Sequence, residues 1–553
     1  MHTATAGAAP RTGGRILIDQ LLAQGVRRIT CVPGESYLAA LDALYGSGVD
    51  VLVCRAEGGA AMMAEAHAKL TGQPGVCFVT RGPGATNASP GVHIAMQDST
   101  PLLLFIGQVG RRMREREAFQ EVDYKAMFGP LAKWVVEIDR AERIPELVAR
   151  AFRVALQGRP GPVVVALPED MLTEEAVVAD APRVVAARGA PEPADLARLA
   201  ELLQRAQAPI AVLGGSTWNA AASQQFAGFA ARQQVPVATS FRRTALCDAT
   251  HPNYAGELGI GPDPRLKARA AAADLVLLVG GRFSEMPSSS YSILEIPRPR
   301  QTLVHVHPSA EELGRLYQPE VAILATATSF CATLAGLPDT ATPQRAERVV
   351  AAHADYLDWS ETPRTLPGEF QFGAVLAWLR ARLPADAIVT NGAGNYAGWV
   401  HRHYRYRQFG TQLAPTSGSM GYGVPAAIAA KREFPERLVV GFAGDGCFLM
   451  NGQDFATAVQ YGIAVVLVVI DNGRLGTIRM HQDREYPGRA VATDLANPDF
   501  AAYARAFGGH GERVERTAEF APAFERALAS GKPAILHCLL DARAQSHGRD
   551  GPG

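Results

Sequence analysis

The chain has 553 residues, of which 48% are hydrophobic and 20% are charged, and no low-complexity block interrupts it. Its 54 basic residues balance 54 acidic ones, so no net field favours nucleic acid or an anionic membrane surface as a partner. This length and composition predict a globular protein of about three or four domains.

The cysteines and the N-terminus indicate a cytoplasmic location. Seven cysteines are scattered without a Cys-x-x-Cys pair, which favours buried thiols over a disulfide framework or a zinc site. The N-terminal stretch MHTATAGAAPRTGG has no apolar segment, so we expect no signal peptide. The longest apolar run, residues 463–470, is too short to span a bilayer.

Short, unbroken apolar runs alternate with helix-like stretches along the chain. They include VLVC (51–54), GVCFVT (75–80), PLLLFIG (101–107), PIAVLGG (209–215), DLVLLVGG (274–281), RLVVGFAG (437–444) and IAVVLVVIDN (463–472). Unbroken apolar strands separated by helices are typical of parallel sheets that are covered on both faces. The predicted fold class is therefore α/β.

Two stretches rich in Ala, Pro and charge, residues 174–195 and 337–369, are predicted to be connectors. They divide the chain into three predicted domains of ordinary size, 1–180, 190–340 and 365–553. Each domain is expected to be a mostly parallel sheet flanked by helices.

In the N-terminal domain, Glu57 ends a predicted strand and opens a helix of small and apolar residues, EGGAAMMAEAHAKLTG (57–72). A carboxylate at the start of a helix stabilises the positive end of the helix dipole. Taken alone, Glu57 therefore has a purely structural interpretation.

In the C-terminal domain, Asp445 and Asn472 follow two successive predicted strands, with a helix-like segment between them. A right-handed crossover should bring both residues to the carboxyl ends of parallel strands, where open α/β sheets bind ligands. One carboxylate and one amide oxygen suit Mg²⁺, and the glycine-rich turn and helix start favour phosphate groups. A helix cap and a turn residue are the alternative interpretation of each residue taken separately.

Several segments resemble the thiamine diphosphate-dependent enzymes. GDGCFLMNGQDFATAVQYGIAVVLVVIDN (444–472) resembles the cofactor-binding signature, with Asp-Asn in place of the usual Asn-Asn at its end. Residues 55–109, AFQEVD (118–123) and GRPGPVVVALPEDM (158–171) resemble the pyrimidine-binding domain of the acetolactate synthase branch, in its large catalytic subunit. The segments VLGGS (212–216), LLVGGRFSEM (277–286) and VHVHPSAEELG (304–314) resemble the central Rossmann-like domain.

The resemblance implies thiamine diphosphate and Mg²⁺ as cofactors. The metal is expected to bind the side chains of Asp445 and Asn472 and the backbone carbonyl of Arg474. Glu57 is expected to hydrogen-bond the aminopyrimidine ring, and Met420 to wedge beneath the bent cofactor. The remaining residues expected at the cofactor are Gly394, Asn395, Tyr396, Gly444, Gly446 and Cys447.

The acetolactate synthase branch further implies a carboligase. Such an enzyme decarboxylates a pyruvate-like 2-oxo acid on the cofactor and transfers the acyl-anion equivalent to a second carbonyl. Glu57 is then catalytic, and Phe119 and Gln120 line the substrate space. Two alternatives stay open: a 2-oxo acid or acyl-CoA decarboxylase or lyase with the same cofactor, and a catalytically silent binding subunit. The resemblance also implies a homodimer or homotetramer that acts on small-molecule 2-oxo acids.

Three residues leave the choice of substrate open. His481 stands where biosynthetic members of the branch usually have a Trp that selects the acceptor. Arg479 is equally consistent with a contact to a substrate carboxylate and with a solvated surface residue. His93 is expected to be a buried, hydrogen-bonded histidine, with a role in proton transfer as the alternative.

The central domain departs from the members of the family that bind FAD. Ser284 and Glu285 follow Arg-Phe where those members typically have acidic residues, and His307 stands where an Asp is common. No intact GxGxxG follows a predicted strand. We therefore favour a central domain without FAD, and leave FAD, ADP and CoA as alternatives.

Overall fold

The computed structural model of the chain describes residues 9–544. These residues form two compact units. The first contains the described residues up to Ala187 together with Ile428–Glu433 and Asn451–Tyr461, and the second contains the rest of the described chain. Three six-stranded sheets organise the two units.

The N-terminal sheet and its helices form most of the first unit. Its elements are β1 (Arg11–Thr12), α1 (Gly13–Ala23), β2 (Arg28–Cys31), α2 (Leu38–Leu44), β3 (Asp50–Val53), α3 (Glu57–Thr71), β4 (Gly75–Val79), α4 (Pro83–Asp98), β5 (Leu102–Gln108), α5 (Tyr124–Phe128), β6 (Trp134–Glu137), α6 (Ile144–Leu156), β7 (Pro162–Pro168), α7 (Glu169–Thr173) and β8 (Glu175–Ala176). The strand order is β3-β2-β4-β5-β7-β6, and all neighbours are parallel. Strands β1 and β8 form a separate antiparallel pair.

The central sheet belongs to the second unit. Its elements are α8 (Pro193–Arg205), β9 (Pro209–Leu213), α9 (Ala220–Gln233), β10 (Val237–Ser240), β11 (Tyr254–Leu258), α10 (Pro264–Ala271), β12 (Leu275–Val279), β13 (Thr302–His307), β14 (Val321–Leu324), α11 (Ala327–Cys331) and α12 (Pro343–Glu361). The strand order is β11-β10-β9-β12-β13-β14, again with parallel neighbours. The order reverses between β9 and β12, as in a dinucleotide-binding fold.

The C-terminal sheet completes the second unit. The elements of this part of the chain are α13 (Phe372–Arg382), β15 (Ile388–Asn391), α14 (Asn395–His403), β16 (Gln412–Leu413), α15 (Gly423–Glu433), β17 (Val439–Gly444), α16 (Asp445–Asn451), α17 (Phe455–Gln460), β18 (Val466–Asp471), α18 (Gly476–Glu485), α19 (Phe500–Ala506), β19 (His510–Val514), α20 (Thr517–Ala529) and β20 (Ala534–Leu539). The strand order is β16-β15-β17-β18-β20-β19, with parallel neighbours throughout.

The predicted α/β class, with three mostly parallel sheets flanked by helices, is confirmed. Six of the seven apolar runs form inner strands, where side chains on both faces are covered, and VLVC (51–54) forms the edge strand β3. All residues of β5 and β7 are buried, as are all residues of β9 and β12. The domain boundaries proposed from the sequence stay a prediction.

A segment from late in the chain covers the edge strand β3 of the N-terminal sheet. The hydroxyl of Tyr461 accepts from the backbone N–H of Val53 at 3.0 Å and donates to the carbonyl of Val51 at 3.2 Å. The hydroxyl of Thr457 donates to the carbonyl of Val53 at 3.2 Å. These bonds satisfy backbone groups that an edge strand would otherwise expose.

The second predicted connector, residues 337–369, is largely helical, which the sequence analysis missed. Helix α12 occupies 19 of its residues and carries the buried Arg345. This guanidinium donates to the carbonyls of Leu203 and Ala206 at the end of α8, and to the carbonyl of Gln233 at the end of α9. One cation therefore caps two helix C-termini, where the helix dipoles favour positive charge. The first connector is irregular from 177 to 192, as expected.

Among the described residues, no helix has both the length and the apolar character needed to cross a membrane.

We predict that Arg345→Met destabilises the second unit by about 2–4 kcal/mol, because it leaves buried helix-end carbonyls without a donor. Urea unfolding of the variant against the parent chain measures this loss. Arg345→Lys keeps the charge but offers fewer donors in a fixed geometry, so an intermediate value is expected. An unchanged urea midpoint in both variants would show that the hydrogen bonds from Arg345 to the ends of α8 and α9 do not contribute to stability.

Candidate functional site

The ends of β17 and β18 bring the predicted metal ligands to one edge of the C-terminal sheet. The two strands are parallel, and Gly444 pairs with Ile470. Asp445 and Asp471 are therefore the next residues along neighbouring strands, and Asn472 follows directly. Asp445 is 3% exposed and is the first residue of α16.

Asn497 links the two carboxylates at this edge. Its side-chain amide donates to Oδ2 of Asp445 and to Oδ1 of Asp471, each at 2.8 Å. His537 accepts from the backbone N–H of Phe500 through Nδ1, so its Nε2 carries the proton and donates to Oδ2 of Asp471 at 2.9 Å. The sequence analysis selected neither Asn497 nor His537, because neither lies in a recognisable motif.

The two carboxyl groups have opposite pKa shifts. Burial raises the pKa of Asp445 to about 6, and the hydrogen bonds from Gly446 and Asn497 offset only part of that rise. Burial also acts on Asp471, but the bonds from His537, Asn497 and the Gly473 amide hold its pKa below the ordinary value. The protein's own donors thus stabilise the charged form of Asp471, whereas Asp445 lacks a cationic partner among these contacts.

A tight turn after β18 presents further oxygen atoms. Oδ1 of Asn472 accepts from the backbone N–H of Arg474 at 3.2 Å, and Gly473 has a φ of +65°. Residues 473–475 then pair with 493–495 through two backbone hydrogen bonds of 2.8 Å. The side-chain amide of Asn472 and the carbonyl of Arg474, two residues apart, are therefore both held by this turn.

This donor set suits a hard divalent cation. It consists of one buried carboxylate, one amide oxygen and one backbone carbonyl, and each of these oxygens has a second lone pair. No group of three or more His, Cys, Asp or Glu side chains in residues 9–544 is arranged to hold a metal ion. An oxygen-rich Mg²⁺ site completed by phosphate and water is consistent with both facts.

The predicted residues Tyr396 and Cys447 join two loops beside Asp445. The hydroxyl of Tyr396 accepts from the backbone N–H of Gly392 at 2.9 Å and lies 3.3 Å from Sγ of Cys447. That sulfur also accepts from the N–H of Gly421 at 3.2 Å. Both side chains are therefore engaged in holding the loops together, which leaves their backbone as the part available to a ligand.

Asn395 and Gly394 form the start of α14. The hydroxyl of Thr477 donates to Oδ1 of Asn395 at 2.9 Å, which ties this loop to α18. Gly394 has a φ of +140°, a conformation that favours glycine. The structure thus places both predicted residues on a constrained loop of the second unit, the unit that also contains Asp445.

Met420 lies in an apolar cluster at the start of α16. A Cβ on Gly446 would lie 2.8 Å from Cδ2 of Leu475, 3.3 Å from Cδ1 of Leu495 and 3.8 Å from Cε of Met420. A side chain at Gly446 would therefore disturb this cluster, which explains the glycine. The predicted wedge residue is half-buried and next to the predicted diphosphate turn.

In the first unit, Glu57 is the first residue of α3 and is half-buried. The side-chain amide of Asn87 donates to its Oε2 at 3.2 Å. A Cβ on Gly84 would lie 3.4 Å from its Oε1, so α4 packs closely against the carboxylate. Asn87 orients Glu57 and was missed from the sequence, since only the packing of α3 on α4 brings the two together.

Phe119 and Gln120 lie on a loop of the same unit. The Phe119 ring is 72% exposed, and its carbonyl accepts from Nε of Arg81 at 3.2 Å. Gln120 has a φ of +64°. A Cβ on Gly82 would lie only 2.7 Å from the Cβ of Gln120. The loop is therefore held in one conformation while the Phe119 side chain faces outward.

The structure changes the interpretation of two uncertain residues and locates a third. His93 is exposed on α4, so the expectation that it is buried is wrong. Arg479 donates to Thr493 and Asp494 at 2.7 Å each, so it closes the turn after β18 and is not a solvated surface arginine. His481 is exposed on α18.

Models of three domains of one enzyme family match the chain in succession. Residues 11–127 match "Thiamine pyrophosphate enzyme, N-terminal TPP binding domain", residues 196–334 match "Thiamine pyrophosphate enzyme, central domain", and residues 392–538 match "Thiamine pyrophosphate enzyme, C-terminal TPP binding domain". The predicted residues Glu57, Asp445 and Asn472 lie within the first and third matched regions.

Curated relatives match nearly the whole chain. It is 31% identical over 532 residues to the acetolactate synthase isozyme 2 large subunit of Escherichia coli (strain K12), covering 96% of this chain and 95% of the relative. It is 34% identical over 527 residues to the acetolactate synthase large subunit of Parasynechococcus marenigrum, covering 92% and 84%. It is 30% identical over 549 residues to the acetolactate synthase isozyme 1 large subunit of Escherichia coli, covering 98% and 96%.

We predict that Tyr396→Phe lowers the free energy of unfolding by about 1–3 kcal/mol, because it leaves the buried N–H of Gly392 without an acceptor. Thermal or urea unfolding of the protein without ligands measures the change. An unchanged midpoint would mean that the Tyr396 hydroxyl does not hold the two loops together.

Proposed function

Since the chain belongs to the thiamine diphosphate-dependent enzymes, of the acetolactate synthase type, we propose that it is a carboligase. It decarboxylates a pyruvate-like 2-oxo acid and transfers the acyl unit to the carbonyl of a second substrate. The cofactor, when bound, supplies the carbanion chemistry, and the protein binds, orients and activates it.

The proposal rests on the arrangement of side chains at the carboxyl ends of β17 and β18. There Asp445 lies beside Asp471, and Asn472 follows on a fixed turn. The second carboxylate is already paired with His537, so a divalent cation would find its negative partner in Asp445. In the proposal, the side chains of Asp445 and Asn472 and the carbonyl of Arg474 hold Mg²⁺, which neutralises the diphosphate.

Glu57 has the second essential role in the proposal. Its carboxylate would form a charge-assisted hydrogen bond with a ring nitrogen of the cofactor's pyrimidine. Asn87 holds one of its oxygens and leaves the other for this bond. The hydrogen bond from Asn87 orients the carboxylate before the cofactor binds.

The substrate side of the proposal rests on the loop of Phe119 and Gln120. A largely exposed aromatic ring on a loop of fixed conformation suits a contact with a small apolar group of a 2-oxo acid. Because Arg479 is held by Thr493 and Asp494, we do not assign it to a substrate carboxylate. We propose a homodimer or homotetramer in the cytoplasm, as the family resemblance implies, and relatives that are named large subunits support association with other subunits.

The central domain is proposed to work without FAD. Dinucleotides bind such sheets where the strand order reverses, which here is between β9 and β12. The loops that follow these strands lie against each other, since a Cβ on Gly215 would be 1.7 Å from the carbonyl oxygen of Gly280. Nε1 of Trp218 also donates to the carbonyl of Gly214 at 2.8 Å.

We predict that Glu57→Gln reduces carboligation by about a hundredfold or more, because the amide cannot supply the charged hydrogen bond. The assay is a panel of 2-oxo acids with release of carbon dioxide and formation of acyloin or 2-acetolactate measured together. Glu146→Gln, which changes an exposed carboxyl of the same unit, is the control and should retain the parent rate.

Three outcomes of that assay oppose the proposal. Release of carbon dioxide without a ligated product would indicate a decarboxylase or lyase. No turnover of any 2-oxo acid by the parent chain would favour a silent subunit. Turnover by Glu57→Gln at the parent rate would show that Glu57 has no role in catalysis.

We predict that the purified protein is colourless and that added FAD does not shift its thermal midpoint. Ligand binding to the native state would raise that midpoint by mass action. A yellow protein that releases FAD on denaturation would show that the loops after β9 and β12 open to admit the dinucleotide.

A further inference from the structure

The start of α3, where Glu57 lies, has no cap from its own sequence. Ala56 occupies the N-cap position in an extended conformation, and an alanine side chain cannot accept the free amides of the first turn. A helix start without a cap frays readily, which would leave the carboxylate of Glu57 poorly placed.

Asp454, from the segment that covers β3, lies against this helix start. It is fully buried and belongs to the same compact unit as α3. Its Oδ1 accepts from the backbone N–H of Arg55 at 3.0 Å. Its Oδ2 lies 1.7 Å from where a Cβ on Gly59 would be. The carboxyl group therefore contacts the backbone both before and after Glu57.

This arrangement is costly in itself. Burial raises the pKa of Asp454 to about 7, and its Oδ2 has no hydrogen-bond partner within residues 9–544. An incompletely paired buried carboxyl destabilises the fold. The position next to it must also remain glycine, since any side chain at Gly59 would collide with the carboxyl.

The segment that covers β3 is attached to that strand without any contribution from the buried carboxyl of Asp454. Thr457 and Tyr461 already bind the segment to β3 through three hydrogen bonds of ordinary length. An apolar residue at position 454 would serve packing alone equally well. The hydrogen bond that Asp454 accepts comes instead from Arg55, and its other oxygen lies against Gly59, so both lie within two residues of Glu57.

We propose that Asp454 is a positioning residue for Glu57. It accepts a hydrogen bond from the backbone of Arg55 and packs against Gly59 in the first turn of α3, while Asn87 donates to the side chain of Glu57. The carboxylate is thereby fixed from two directions. The inference deepens the function proposed above for Glu57 and depends on it.

The test compares Asp454→Ala with Thr457→Val. The control removes a buried hydrogen bond of the same segment but touches no residue from 55 to 59. In the holoenzyme, acid-quench NMR measures how fast the C2 hydrogen of bound thiamine diphosphate exchanges with solvent deuterium. In the protein without cofactor, amide exchange by mass spectrometry reports on the backbone of residues 55–60.

We expect Asp454→Ala to slow the C2 exchange about tenfold or more, since a small misplacement of an activating group has effects of that size. Amide exchange over 55–60 should become faster in the same variant. Thr457→Val should stay within about twofold of the parent on both measures. Asp454→Asn retains an acceptor for the Arg55 amide and should recover most of the rate.

A double-variant cycle separates positioning from a general structural effect. If Asp454 acts through Glu57, then Asp454→Ala adds no further loss to Glu57→Gln. Losses that multiply would overturn the inference, as would an unchanged C2 exchange in Asp454→Ala while Glu57→Gln is impaired. Parent-like exchange in Glu57→Gln would instead overturn the role proposed for Glu57 itself.

Should Asp454→Ala not fold, Gly59→Ala tests the same contact from the helix side. Alanine is a better helix former than glycine, but its Cβ would displace the Asp454 carboxyl. The same fall in C2 exchange is expected. A folded Gly59→Ala enzyme with the parent exchange rate would contradict the positioning role.

Discussion

The parallel pairing of β17 with β18 is the constraint on which the C-terminal site depends. Its register places Asp445 and Asp471 side by side at the sheet edge and lets Asn497 bridge them. His537 and Asn497 donate to Asp471, whereas burial raises the pKa of Asp445, which has no cationic partner among these contacts. Asp445 is therefore the carboxylate whose charge a bound divalent cation would offset.

In the N-terminal sheet region, the carboxylate of Glu57 is held in place by a partner that carries no charge. No cationic side chain is hydrogen-bonded to Glu57 in the described structure, where its partner is the neutral amide of Asn87. The backbone around it is held by a carboxyl from a distant segment. A neutral partner and a rigid backbone keep the carboxylate available to a ligand, whereas an ion pair would satisfy it within the protein.

The sequence was sufficient for the features that depend on local pattern. Unbroken apolar runs predicted the inner strands correctly, and the spacing of Asp445 and Asn472 around one helix-like segment predicted their shared edge. Asn497 and Asn87 could not be found in this way, because each meets Asp445 and Asp471 or Glu57 only through tertiary packing, at a distance along the chain that no local pattern links. Helix α12 was missed because its Ala-rich and charged composition is also typical of connectors, although its buried residues, from Arg345 and Val349 to Tyr356 and Ser360, repeat at helical spacing.

The central claim is that the chain binds thiamine diphosphate through a divalent cation held at the ends of β17 and β18. Calorimetric titration of the purified protein with thiamine diphosphate, with Mg²⁺ and then with EDTA, tests this claim most directly. The account predicts saturable binding with Mg²⁺, loss of that binding in EDTA, and the same loss in Asp445→Asn with Mg²⁺ present. Binding that is indifferent to both EDTA and Asp445→Asn, or no binding under any condition, would contradict it.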